Sequence, residues 1–126
     1  MNLEFNKNED QMKLLISEMN QKLQKIYLGG GKEKIAKQHQ KGKLTARERI
    51  NYLIDENSNF LEIGAFVGEG LYKEHGGCPS GGVIIGIGYV QKKQVVIVAN
   101  DATVKAGAWF PITASKTDVQ ANCFDG

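Results

Sequence analysis

Apolar residues recur at helical spacing through the first segment. Met12, Leu15, Met19, Leu23, Ile26 and Tyr27 fall mostly at steps of three and four, so they share one face of an amphipathic helix. Gly29-Gly30-Gly31 ends it, because glycine enters the left-handed region at a helix C-terminus without a Cβ clash. Lys32 to Gln40 reads as a second, polar helix, broken by Gly42. Thr45-Ala46-Arg47-Glu48 is a capping box, and Ile50, Leu53 and Ile54 supply the buried stripe of the short helix it starts. Asp55 to Asn59 reads as a turn.

From Phe60 the period shortens. Phe60, Leu61, Ile63, Phe66 and Val67 predict a strand that Gly64 interrupts, and Tyr72 to Ser80 a loop. Val83 to Val90 and Gln94 to Ala99 predict a hairpin joined by Gln91-Lys92-Lys93. The unbroken Val95-Val96-Ile97-Val98 predicts a central strand covered on both faces. Nine of the 15 glycines lie between Gly64 and Gly88, a density that marks bends or close backbone approach. Residues 114–126 show no helix-period apolar stripe.

Composition changes this picture little. The chain has 126 residues, enough for one domain with a modest core, and 41% hydrophobic residues is ordinary for a globular protein. The longest apolar run is Val95 to Ala99, far short of a membrane span, and residues 1–22 lack the apolar stretch of a secretory signal. These features predict a soluble, cytoplasmic chain. Charge is uneven: residues 1–50 carry eleven Lys/Arg against six Asp/Glu, the remainder five against eight. The basic lead-in reads as a solvated helical face, since arginine is scarce and no aromatics alternate with the lysines as stacking platforms for nucleic acid.

The search for side-chain chemistry excludes more than it finds. Cys78 and Cys123 stand 45 positions apart, without the short ligand spacings of a zinc site. Gly29-Gly30-Gly31-Lys32 is followed by Glu33 where a phosphate loop needs Ser or Thr. Gly86-Ile87-Gly88 lacks the third glycine of a dinucleotide fingerprint. His39 and His75 have no partner in the sequence, and no serine sits on a nucleophile elbow. The segment Ala99 to Pro111 leaves a strand and reaches the small residues Ala106, Gly107 and Ala108 beside Trp109-Phe110. Small residues let a ligand approach backbone amides, which stabilise developing oxyanions; a tight corner with an aromatic core is the competing reading.

Three blocks carry a family resemblance: Gly42-Lys43-Leu44-Thr45-Ala46-Arg47-Glu48-Arg49-Ile50 with Leu53-Ile54-Asp55, then Gly81 to Gly88, then Ala99 to Pro111. From about Leu28 to Thr113 the chain resembles the carboxyltransferase (beta) subunit of biotin-dependent acyl-CoA carboxylases, and looks closest to the 3-methylcrotonyl-CoA carboxylase branch. The resemblance implies a crotonase-like α/β fold of β-β-α units, here an incomplete domain preceded by helices. It implies transfer of a carboxyl group from carboxybiotin to a branched enoyl-CoA in leucine or branched-acid catabolism. A geranyl or other branched acyl group is the alternative substrate. Biotin is then carried by a biotin carboxylase/biotin carrier partner subunit that uses ATP, and the subunits form homo-oligomers. Backbone amides, rather than side chains, hold the enolate oxygen, so the resemblance assigns no catalytic residue and no metal here. It places Ala106, Gly107 and Ala108 as backbone facing the CoA. Neither nucleic acid nor membrane is an implied partner.

Two departures qualify it. Ala106 stands where relatives carry glycine, which matters if that position takes a positive φ. Residues 114–126 show no resemblance, so the expected organisation is a basic helical lead-in (1–44), the N-terminal part of the carboxyltransferase domain (45–113) and a divergent tail (114–126). An N-terminal fragment of this kind is expected to be inactive alone, with Val96 and Val98 exposed and a tendency to self-associate. A non-enzymatic interaction module is the alternative function.

Overall fold

Thr45 starts the helix that organises the fold. In the computed structural model, which describes residues 2–124, its hydroxyl accepts from the Glu48 amide and the Glu48 carboxylate accepts from the Thr45 amide at 2.7 Å. The helices are α1 (Leu3–Tyr27), α2 (Lys32–Gln40), α3 (Ala46–Leu53) and α4 (Pro111–Phe124). The strands β1 (Leu61–Ile63), β2 (Val83–Val90) and β3 (Lys93–Asn100) form one antiparallel sheet in the order β1-β2-β3.

Alternation along the hairpin sorts its residues onto two faces. Ile84 and Ile97 pack with Ala46 and Ile50 of α3, and Ile54, Phe60, Val95 and Ala99 close that core. Gly86 is required here, because a Cβ at that position would sit 2.4 Å from the Leu61 carbonyl oxygen and within 2.7 Å of the Phe60 ring. The hairpin turn is Gln91-Lys92 alone, both in the left-handed region, with Val90 paired to Lys93. Asp55 secures it: its two carboxylate oxygens accept from the Gln91 and Lys92 amides at 2.6 and 2.7 Å.

Four expectations need correction. The central strand is β2, whose Val83, Ile84 and Ile85 are all at most 1% exposed, while β3 is an edge. Val96 and Val98 are 45% and 54% exposed, in line with the expected exposure. The Phe60–Val67 strand contracts to Leu61–Ile63, since Gly64 turns the chain at φ +69°. The apolar face of α1 forms, but only Ile26 at its C-terminal end is buried.

The fourth correction is α4, which runs through most of the segment read as lacking a helix. Pro111 occupies its first turn, where a missing N–H costs nothing. Its buried residues Thr113, Lys116 and Gln120 follow steps of three and four. The stripe is polar, so a hydrophobic periodicity cannot show it.

Candidate functional site

The Gly42–Ile50 block builds one wall of a cleft. Gly42 (φ +68°) and Lys43 close α2 in a Schellman arrangement, with the Gly42 amide donating to the His39 carbonyl and the Lys43 amide to the Gln38 carbonyl. This fixes where the Lys43 side chain leaves the backbone. One turn into α3, Arg49 faces the same space. The opposite wall comes from the segment after β3. An open cleft of about 600 Å³ is lined by Gln38, Lys43, Leu44, Arg49, Ala102 and Ala106.

Of the three backbone positions expected to face a ligand, Ala106 lines this cleft; Gly107 and Ala108 follow it in the same turn. The Gly107 amide donates to the Val104 carbonyl and the Ala108 amide to the Lys105 carbonyl, each at 3.0 Å. Those two N–H groups are therefore committed within the turn. Ala106 adopts φ +56°, ψ +25°, the left-handed conformation that favours glycine. Ala106→Gly is accordingly expected to stabilise the chain by about 0.5–1 kcal/mol, the relief of Cβ strain exceeding glycine's entropic penalty. Urea denaturation of the two proteins checks this; a destabilised variant contradicts it.

The third block is anchored to the lead-in helices through a buried node. The Thr103 hydroxyl donates to Asp101 at 2.6 Å and accepts the Gly30 amide at 2.9 Å. Gly30 lies so close that a Cβ there would fall 1.8 Å from the Thr103 carbonyl oxygen. The glycine triplet thus serves as a docking corner as well as a helix end.

A second polar cluster lies under the sheet and was missed by sequence reasoning. Arg47 grips Glu62 with both guanidinium nitrogens, and its guanidinium lies 4.3 Å over the Tyr27 ring. Ser80 donates to Glu62 at 3.1 Å. Lys116, 4% exposed, donates to the Ser80 carbonyl at 2.7 Å, the Ser80 hydroxyl at 2.9 Å and the Val83 carbonyl at 2.7 Å. The cluster joins α1, α3, β1, the turn before β2 and α4. The only sequence signal was Arg47 within its motif.

Burial pushes the Lys116 ammonium down from 10.5 to about 8; Glu62 opposes the shift, Arg47 adds to it and Cys78 opposes it weakly. Between those two values the unfolded chain binds a proton that the folded chain has released. Stability should therefore rise with pH across that window and be flat with respect to this group below it. Urea midpoints at pH about 7 and about 9.5 check this, and Lys116→Met should abolish the rise. A wild-type slope equal to the variant's contradicts it.

His39, unpartnered in the sequence, donates to Glu48 at 2.9 Å. That bond, followed by the one from the Thr45 amide, holds the Glu48 carboxyl down at about 2. The support Glu48 gives α3 is thus present above the ordinary carboxylate range and lost as pH falls through it. Cys78 and Cys123 are both free thiols. Among the described residues no group of three or more His, Cys, Asp or Glu is placed to hold a metal, and no helix is long and apolar enough to cross a membrane.

Comparison with known proteins places this geometry in a class. The carboxyl transferase domain family matches residues 37–122, a span that runs past Thr113 into α4, and the chain belongs to that family. Among curated relatives, a probable methylcrotonoyl-CoA carboxylase beta chain, mitochondrial, of Drosophila melanogaster is 42% identical over 113 residues, 90% of this chain and 19% of the relative. A biotin-dependent 3-methylcrotonyl-coenzyme A carboxylase beta1 subunit of Mycobacterium tuberculosis is 44% identical over 108 residues, 85% of this chain and 20% of the relative. The beta subunit of geranyl-CoA carboxylase from P. aeruginosa superposes with a TM-score of 0.73 at 28% identity, over 92% of this chain and 21% of that one. Transcarboxylase 12S, with hydrolyzed methylmalonyl-coenzyme A bound, gives 0.75 at 33% identity over 83% of this chain and 21% of that one. The chain spans about a fifth of the length of the curated relatives it matches. The succession β2-β3-α4 is the β-β-α unit of the crotonase-like fold, and the described residues form part of such a domain.

Proposed function

We propose that this chain is the leading portion of a carboxyltransferase subunit that carboxylates a branched enoyl-CoA, with 3-methylcrotonyl-CoA as the acyl-CoA substrate. The observation that carries the reading is the meeting of two motif blocks, Gly42–Ile50 and Ala99–Pro111, across one cleft. The 42–44% identity to methylcrotonoyl-CoA carboxylase beta chains supports the choice of acyl group. On this reading the acyl-CoA runs past the turn of Ala106, Gly107 and Ala108, where small side chains let it lie against the backbone. With the Gly107 and Ala108 amides committed to the turn, this contact is close packing rather than oxyanion donation.

The carboxyl group arrives on biotin carried by a partner subunit that uses ATP, so biotin is a co-substrate rather than a resident group. The donors that would stabilise an enolate are not assigned to this chain's residues. Its own contribution is to bind and orient the thioester, which lowers the barrier by fixing the reacting groups in place. The 126-residue chain mixed with a carboxybiotin-loaded partner is therefore expected to show no carboxylation of 3-methylcrotonyl-CoA.

A chimera tests the reading itself. Residues 37–122 of this chain, exchanged into the matching segment of a methylcrotonoyl-CoA carboxylase beta chain, should leave an oligomer that still prefers 3-methylcrotonyl-CoA. A folded chimera without carboxylase activity, or with a different acyl preference, contradicts it.

A further inference from the structure

The Gly42–Ile50 block is dense in polar and charged groups, and the structure accounts for all but two of its side chains of that kind. Thr45 and Glu48 form the capping box, and Glu48 also takes His39. Arg47 is held by Glu62 and stacked on Tyr27. Lys43 and Arg49 remain. Both are exposed, and among the described residues neither pairs with a carboxylate. They project into the same cleft, whose lining residues include no acid. The Schellman bonds occupy the Gln38 and His39 carbonyls, which reduces the negative potential of the α2 terminus beside Lys43.

Two uncompensated cations in one concavity hold a net positive potential that low-dielectric walls of Leu44, Ala102 and Ala106 concentrate. The guanidinium offers a planar fork that matches phosphate oxygens, and the ammonium a mobile point charge. The volume of about 600 Å³ suits a small-molecule ligand rather than a bare ion. The lining has no aromatic ring on which a base could stack, so recognition rests on charge.

We propose that Lys43 and Arg49 form a phosphate-binding cleft for a nucleotide-bearing ligand. Resting on the carboxyltransferase reading, that ligand is the acyl-CoA, with its bisphosphorylated nucleotide end between the two cations and its pantetheine arm leaving past Ala106. The 5′ pyrophosphate and the 3′ phosphate present the same chemistry, and either satisfies the geometry.

Calorimetric titration of the full chain with CoA, adenosine 3′,5′-bisphosphate and inorganic pyrophosphate tests this at two salt concentrations. The proteins compared are wild type, Lys43→Gln, Arg49→Gln and, as a charge-matched control on the hairpin turn, Lys92→Gln. Lys43, Arg49 and Lys92 are all exposed, so folding should be retained, as circular dichroism can verify. CoA and the bisphosphate should bind, each cleft variant should weaken both by about tenfold, and Lys92→Gln should leave them unchanged. Pyrophosphate should separate the two phosphate sources by binding comparably to the bisphosphate only if the 5′ group is the one held. CoA binding with equal affinity to all four proteins would overturn the phosphate cleft while leaving the carboxyltransferase reading in place. Bisphosphate binding lost in the cleft variants but without CoA binding would keep the cleft and remove the acyl-CoA assignment. Absence of binding by any phosphate ligand, or an equal loss in Lys92→Gln, would overturn the proposal.

Discussion

Glu62→Ala should be among the most damaging single substitutions in the chain, lowering stability by about 3–5 kcal/mol. Glu62 is the one carboxylate in a cluster that also holds Arg47 and Lys116, and its side chain is 8% exposed. Removing it leaves two cations facing each other across Ser80 with no counter-charge. The loss is the penalty of stranding buried charge, which exceeds the net worth of the intact pair. Glu62→Gln keeps the shape and two hydrogen-bonding atoms, so it should fall between wild type and alanine. Urea unfolding orders the three proteins. An alanine variant within about 1 kcal/mol of wild type would show that the cluster contributes little beyond surface pairing.

Ile84→Ala should cost about 2–5 kcal/mol, whereas Val98→Ala should stay within about 0.5–1 kcal/mol of wild type. Ile84 is 1% exposed and packs between α3 and β3, so truncation leaves a cavity that the sheet and helix cannot both close. Val98 lies on the edge strand, more than half exposed, and loses little by shortening. The contrast locates the core at β2. Equal losses at the two positions would instead support a sheet whose centre is β3.

That contrast also shows where hydropathy misleads. Val95 to Val98 is the chain's most continuous apolar run outside β2, and continuity read as burial on both faces makes it central. The reading holds for a strand with a neighbour on either side. In this chain β3 has a neighbour on one side only, so its outward residues meet solvent. The α1 face is a similar case. Its period specifies a helix with an apolar stripe, but among the described residues nothing packs along Leu3 to Met19.

Local chemistry was legible where partners lie close in sequence. The capping box at Thr45 and Glu48, the glycine stop after α1 and the Val83–Val90 strand all follow from short-range rules. Asp55 and Arg47 were visible only as members of a motif. Their work is done across 36 and 15 positions of chain, on the hairpin turn and on Glu62, and periodicity carries no such information. The cluster around Lys116 was least accessible. A helix that buries Thr113, Lys116 and Gln120 looks polar on every face to a hydropathy scale, and only the carbonyls of Ser80 and Val83 explain why a lysine belongs there.

The cleft itself was half legible. Ala106, Gly107 and Ala108 stood out as small residues at the end of a strand, and the fold brings Ala106 opposite Lys43 and Arg49. What the sequence could not supply was the other wall, because residues 38–49 and 102–106 meet only once α3 is seated on the sheet.

The central claim is that these two segments together bind an acyl-CoA, and amide chemical-shift mapping of the isotope-labelled chain with 3-methylcrotonyl-CoA tests it most directly. The account predicts saturable shifts at Lys43, Leu44, Arg49, Ala102 and the Ala106 to Ala108 turn, with α4 and the N-terminal half of α1 unmoved. Shifts confined to α1 or α4, or no saturable shift at the cleft, would contradict it.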